Sequence, residues 1–146
     1  AESQEEVEKI LFTYGSGTLW MHLPSGRKLA YLKPKMQVNK NSGRMSLTFE
    51  GVGDNNKWSR VETYGGKLTE NATQAIARDI LAEAMLRMEK AGLAIIGSIH
   101  DEVIIEAPIG KYTVEEICEL MSVRPSWCQD CPISAAGYRG FYYFKD

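Results

Sequence analysis

The stretch LAIIGSIHDEVIIEA, residues 93–107, decides the reading of this chain. Two apolar runs rich in Ile and Val flank the triplet His100-Asp101-Glu102. Such runs read as buried strands and the polar break between them as a tight hairpin, with strands expected over 93–99 and 102–107. A two-residue hairpin loop ordinarily takes Asn-Gly or Asp-Gly, because those residues accept a positive φ cheaply. His-Asp is a poor choice for turn geometry alone. An imidazole and two carboxylates at the tip ask for a chemical reason. A carboxylate held between two strands suits a hard cation such as Mg²⁺.

Working outward, GGKLTENATQAIARDILAEAMLRMEKAG, residues 65–92, predicts one long helix running straight into the hairpin. Leu68, Ala72, Ile76, Ile80, Ala84 and Met88 recur at the helical period along one face. Glu83 and Arg87 are spaced as an ion pair four residues apart, and Gly92 sits where a helix cap belongs. Residues 2–14 predict a short amphipathic helix whose first turn carries Glu2, Glu5 and Glu6, in keeping with the helix dipole. Strands are expected over 18–23 and 27–36 around the turn Pro24-Ser25-Gly26, then a polar loop over 37–43. A second strand pair is expected over 44–50 and 57–63, followed after the hairpin by a helix near 113–122 and a closing strand near 133–144. This order predicts one α+β domain over 1–146, an antiparallel β-sheet with helices packed on it.

Bulk properties fit that reading. A chain of 146 residues with 44% apolar and 25% charged residues is ordinary for a single globular domain. No run approaches the ~18 apolar residues of a membrane helix and no signal peptide is visible, so a cytoplasmic protein is expected. Cys128 and Cys131 form a CxxC, but the second pair of a zinc site is absent, and these residues and Cys118 read as free thiols of a reducing compartment.

Taken together, the hairpin and the helix before it resemble the C-terminal palm of family A DNA polymerases of the phage or prophage type. The HDE triplet on a hairpin is that family's motif C, and its place after KLTENATQAIARDIL makes the likeness specific. LPSGRKLAYLKPKM, residues 23–36, is similar to the phage-type segment before the helix. SWCQDCPISAAGYRGFYYFKD, residues 126–146, is similar to the family's carboxy-terminal end, so the resemblance runs from about Leu19 onward.

The resemblance implies a palm-like subdomain of a DNA-directed DNA polymerase, a nucleotidyltransferase of DNA replication. It works by two-metal phosphoryl transfer, with two Mg²⁺ ions about 3.5–4 Å apart. It implies Asp101 as the catalytic metal ligand. Glu102 is the neighbouring catalytic carboxylate; one step along a strand it faces the other way and so acts as a positioning group. His100 resembles a residue near the primer terminus, and Gln74 one that approaches the minor groove there, five residues before Asp79 as in the family. Bacterial relatives carry Arg-x3-Asn-x3-Gln. Here Asn71 stands three residues before Gln74 and Lys67 is the nearest basic residue, so these two candidate nucleic-acid contacts depart from the family spacing. The blander readings are a solvated helix face for Lys67, Asn71 and Gln74, a backbone-bonded turn for His100 and a plain turn former for Asp101.

Two family motifs are absent from the sequence. One is the second metal-binding aspartate, carried in a motif like DYSQIELR; the other is the fingers helix with its RxxxKxxxFGxxYG pattern. With Ala1 in first position, the chain reads as a carboxy-terminal fragment or one part of a split polymerase, inactive alone. Its partners would be the missing upstream polymerase portion, primer-template DNA and dNTPs, and its Mg²⁺ site would be completed by an aspartate elsewhere. The net charge of −2 predicts weak DNA binding by the chain itself. The alternative function class is a non-catalytic nucleic-acid or protein-binding module derived from a palm. A metal-dependent nuclease has only the hairpin carboxylates to rest on. Trp20, Trp58, Trp127, Phe141, Tyr142 and Tyr143 read as core or sheet-packing groups rather than base-stacking platforms. Arg27, Lys28, Lys33, Lys35, Lys40, Arg44, Lys57 and Arg60 read as phosphate contacts or equally as a solvated face.

Overall fold

A computed structural model describes residues 10–39, 42–53 and 55–143. The chain divides into two compact units, Ala1–Ile76 and Ala77–Asp146, and the boundary falls inside one continuous helix.

The described residues of the first unit form five antiparallel strands in sequential order: β1 (Leu11–Gly15), β2 (Thr18–His22), β3 (Lys28–Val38), β4 (Met45–Val52) and β5 (Trp58–Thr63). Leu19 pairs with Tyr31, and Phe49 with Val61, so alternate residues of each strand share one face. The first turns of α1 (Gly65–Lys90) pack on that face. Ala72 and Ala75 are buried against Met21, Leu23 and Tyr31, with Leu68, Ile76 and Phe49 around them. Small residues on the helix let it lie close to the sheet. The Tyr31 and Phe49 rings meet edge to face, 5.1 Å between centroids at 87°. The α+β class holds, with an antiparallel sheet and a helix packed on it.

One strand replaces part of an expected helix. Residues 11–14, taken with 2–10 as helical, belong to β1. Ile10 is not helical either, and residues 2–9, with Glu2, Glu5 and Glu6, lie outside the described residues, as does Lys40. The cause is the turn that follows. Gly15 pairs with Thr18, and Ser16 and Gly17 both take positive φ (51° and 74°), the signature of a two-residue type I′ hairpin. That turn folds the aromatic run Leu11-Phe12-Thr13-Tyr14 back against β2.

The second unit contains the rest of α1, a two-stranded hairpin of β6 (Ala94–Ile99) and β7 (Glu102–Glu106), and α2 (Val114–Ser122). Helix α1 ends on Gly92 at φ 85°. The Gly92 amide donates to the Glu89 carbonyl at 2.9 Å and the Leu93 amide to the Met88 carbonyl at 3.1 Å, which is the Schellman arrangement. Ala84, Met88 and Leu93 form the buried centre, and Ile95, Val103, Ile105, Ile117 and Leu120 pack on it. Thr113 and Glu116 cap α2 reciprocally. The closing strand expected near 133–144 is not formed by the described residues 133–143. Pro132, Gly137 and Gly140 punctuate that run, and the ring of Phe141 is 98% exposed.

The aromatic reading needs correction too. Trp58, Phe141, Tyr142 and Tyr143 are exposed rather than core groups, while Trp20 and Trp127 are half-buried. Trp127 uses its indole N–H to donate to Glu83 Oε2 at 2.8 Å.

Candidate active-site hairpin

Ile99 pairs with Glu102, so His100 and Asp101 alone make the turn. Within it only His100 has a positive φ, 55°. That is the φ pattern of a type II′ turn, whose first central position ordinarily takes Gly. A histidine there spends conformational energy that a glycine would save.

A bulge shapes the approach to the tip. Ile95 pairs with Ile105, but Gly97 pairs with Ile104, leaving Ile96 as the extra residue. Without the bulge, Ile95 and Gly97 would share the core face. With it, Ser98 is the residue opposite Val103. Val103 and Ile105 pack into the core, so Glu102, Ile104 and Glu106 stand on the other face of β7.

The two carboxylates therefore meet different surroundings. Asp101 is exposed and borders a small cavity of about 180 Å³ whose walls include Ile80, Leu81, Ala84, Met121 and Ile133. Glu102 accepts a hydrogen bond from the Tyr143 hydroxyl, 3.0 Å from O to Oε2. The Glu102 carboxylate beside it raises the Tyr143 phenol above its ordinary value of 10.0. Tyr143 escaped sequence reasoning because it is 41 residues from Glu102 and no period links them.

The helix residues lie in the first unit. Lys67 Nζ sits 2.9 Å from Glu70 Oε1, and Gln74 Nε2 donates to the same oxygen at 3.3 Å. Asn71 is directed to the sheet, donating to the Tyr31 hydroxyl at 3.2 Å. So Lys67 and Gln74 share an exposed stripe centred on Glu70, which the sequence reading passed over although the spacing 67, 70, 74 marks one helix face. Asn71 belongs to the margin of the core. Three of the basic residues around the sheet are engaged: Lys33 and Arg60 both reach Glu50, at 2.8 and 3.2 Å, and Arg27 donates to the Ala75 carbonyl at 3.0 Å.

As a metal ligand, Asp101 offers the hard oxygen that Mg²⁺ prefers. Among the described residues no three His, Cys, Asp or Glu side chains gather around one point. The donor type fits the ion, and the number covers only part of a coordination sphere. Cys118, Cys128 and Cys131 are half-buried and form no disulfide. Among the described residues no helix is long and apolar enough to cross a membrane.

Over 137 residues, 94% of its length, the chain is 42% identical to a DNA polymerase of Bacillus phage SP02. The chain is similar to part of a phage DNA polymerase. It spans 21% of that protein's length. A match of 137 residues in a chain of 146 necessarily includes the 93–107 hairpin and α1. No protein-family profile matches the chain, and no solved structure does.

Proposed function

We propose that residues 1–146 form the C-terminal palm portion of a family A, phage-type DNA-directed DNA polymerase acting in the host cytoplasm. In this reading the chain contributes one metal-binding carboxylate, Asp101, to two-metal nucleotidyl transfer and is inactive alone. The observation that carries it is the 42% identity to a phage DNA polymerase across a span that includes an HDE hairpin closed to two residues. The left-handed backbone at His100 adds weight, because strain of this kind concentrates at functional sites.

Placement supports the following division of roles. Asp101, at the exposed apex, would hold the ion; bound there, Mg²⁺ supplies charge stabilisation to the attacking 3′-oxygen and the leaving pyrophosphate. Glu102, on the opposite face of β7, orients the tip rather than binding the metal. His100 presents its imidazole beside the primer terminus. Lys67 and Gln74 offer an exposed helix edge to the primer-template, with Gln74 reading minor-groove acceptors. The second aspartate, the fingers and much of the phosphate contact belong to the upstream portion of the polymerase. The chain alone then binds duplex DNA no better than the ordinary non-specific range of ~10⁻⁴–10⁻⁶ M.

The test is primer extension with Mg²⁺, primer-template and dNTPs. The chain alone should be silent, and the upstream portion together with this chain should extend. Extension by the chain alone overturns the reading of its dependence. Silence of the combined proteins, with salt-sensitive sub-micromolar DNA binding by the chain, supports the non-catalytic binding module instead.

A further inference from the structure

We propose that Tyr143 is a positioning residue for the hairpin: its phenol holds the Glu102 side chain and fastens the chain's last described residues to the tip. The effect on nucleotidyl transfer rests on the polymerase reading above; the contact does not.

Tyr143 donates to Glu102 Oε2 at 3.0 Å across 41 residues of sequence. Packing does not account for the placement. Phe141 is 98% exposed, Tyr142 77% and Tyr143 itself 45%, so this segment is not carried to the hairpin by burying its rings. The Tyr143 hydroxyl supplies a link to the hairpin that does not depend on ring burial.

The position of Glu102 gives the link a consequence. Its backbone is fixed as the first residue of β7, paired with Ile99 and adjacent to Asp101. Its side chain is exposed, and a free glutamate at such a site samples many rotamers. One phenol donor on Oε2 selects among them. It leaves Oε1 able to accept a further donor, since a carboxylate has about four acceptor sites. A neutral phenol also keeps the carboxylate's negative charge in place, which a lysine partner would cancel. The residue next to the proposed metal ligand is thus held by a group from the far end of the chain.

Two measurements test this. In the 146-residue chain carrying ¹³Cζ-labelled tyrosine, the Tyr143 resonance is assigned by its loss in Tyr143→Phe. It should move in Glu102→Ala and stay in place in Asp101→Asn. A Tyr143 resonance indifferent to Glu102→Ala overturns the proposal. In the polymerase that carries this segment, Tyr143→Phe should lower kcat about tenfold with the dNTP KM unchanged, the usual scale for losing an outer partner of a site group. Added to Glu102→Ala it should cost little more than Glu102→Ala alone, because both remove the same contact. Unchanged kcat, or fully additive losses, overturns the positioning role. If the unsubstituted polymerase does not extend primers, it is the polymerase reading that fails, and the labelled chain still decides the contact.

Discussion

Ile99 and Glu102 face each other across the β6–β7 hairpin, and His100 and Asp101 between them make the whole turn. His100 carries the conformational burden at φ 55°. A left-handed backbone costs a residue with a Cβ roughly 1–2 kcal/mol. Glycine removes that cost but gives up roughly 0.5–1 kcal/mol through the freedom it gains when unfolded. His100→Gly should therefore stabilise the second unit slightly, by about 0.5 kcal/mol, while lowering extension by the polymerase through loss of the imidazole. Urea unfolding of the chain and primer extension measure the two halves. A destabilisation above about 1 kcal/mol would show that the imidazole supports the fold rather than the chemistry.

Acid should weaken the first unit through two carboxylates. The hydrogen bond from Lys33 foremost, helped by the charges of Lys33 and Arg60, holds Glu50 below its ordinary value of 4.5. Ser46 first and Asn39 second do the same for Glu62. A depressed folded value means that the stabilisation is present above the unfolded value, near 4.5, and is lost as pH falls through the folded value. Urea midpoints recorded from about pH 6 down to about pH 3 should fall, and fall less in Glu50→Gln and Glu62→Gln. Equal acid sensitivity in all three proteins would remove these groups from the account.

In the second unit Arg87 fastens α2 to α1. Its Nη2 donates to the Val123 carbonyl at 2.7 Å and its Nε to the Leu120 carbonyl at 3.4 Å, while Nη1 lies 3.6 Å from Glu83 Oε1. Those carbonyls belong to the last turn and cap of α2, which ends without a basic residue of its own. Arg87→Met keeps the aliphatic stem and removes every donor. Charged hydrogen bonds of this kind are worth about 1.5–3 kcal/mol when shielded, and partial exposure reduces that to about 1–2 kcal/mol here. Denaturant unfolding should show the loss, and amide exchange should rise in residues 120–123 before the rest of the unit. Unaltered exchange there would mean that the apolar face of α2 holds it unaided.

Much of this architecture was legible because local signals agreed. The apolar face from Leu68 to Met88 and the glycine at 92 fixed both the course and the end of α1. The turn at Pro24-Ser25-Gly26 and the bracketing of His100-Asp101 by Ile and Val runs fixed two hairpins. Where signals competed, the reading slipped. Glu2, Glu5 and Glu6 suggested a helix across residues that Ser16-Gly17 turns into β1. The aromatic end of the chain suggested a strand that Gly137 and Gly140 interrupt. The bulge at Ile96, and the one between Leu32 and Lys35 where Lys33 takes φ 45°, have no sequence period at all. Nor do contacts such as Tyr143 with Glu102, since a hydrogen bond across 41 residues is set by tertiary structure.

Asp101 bears the proposed chemistry most directly. Asp101→Asn is nearly isosteric, and the side chain is exposed at the tip of a two-residue turn, so unfolding free energy should stay within about 0.5 kcal/mol. What changes is charge: the amide is a poor ligand for a hard cation. Metal-assisted stabilisation is worth several kcal/mol in such transfers, so extension by the intact or reconstituted polymerase should fall on the order of 10³-fold or more. Glu102→Gln should be milder, since Glu102 stands on the other face of β7 and engages Tyr143 rather than the ion. Gln74→Ala should act mainly on mismatch discrimination at the primer terminus. The ordering carries the test, with Asp101→Asn far below both at unchanged thermal stability. Near-normal extension by Asp101→Asn would remove the HDE hairpin from the catalytic site, and the palm reading with it.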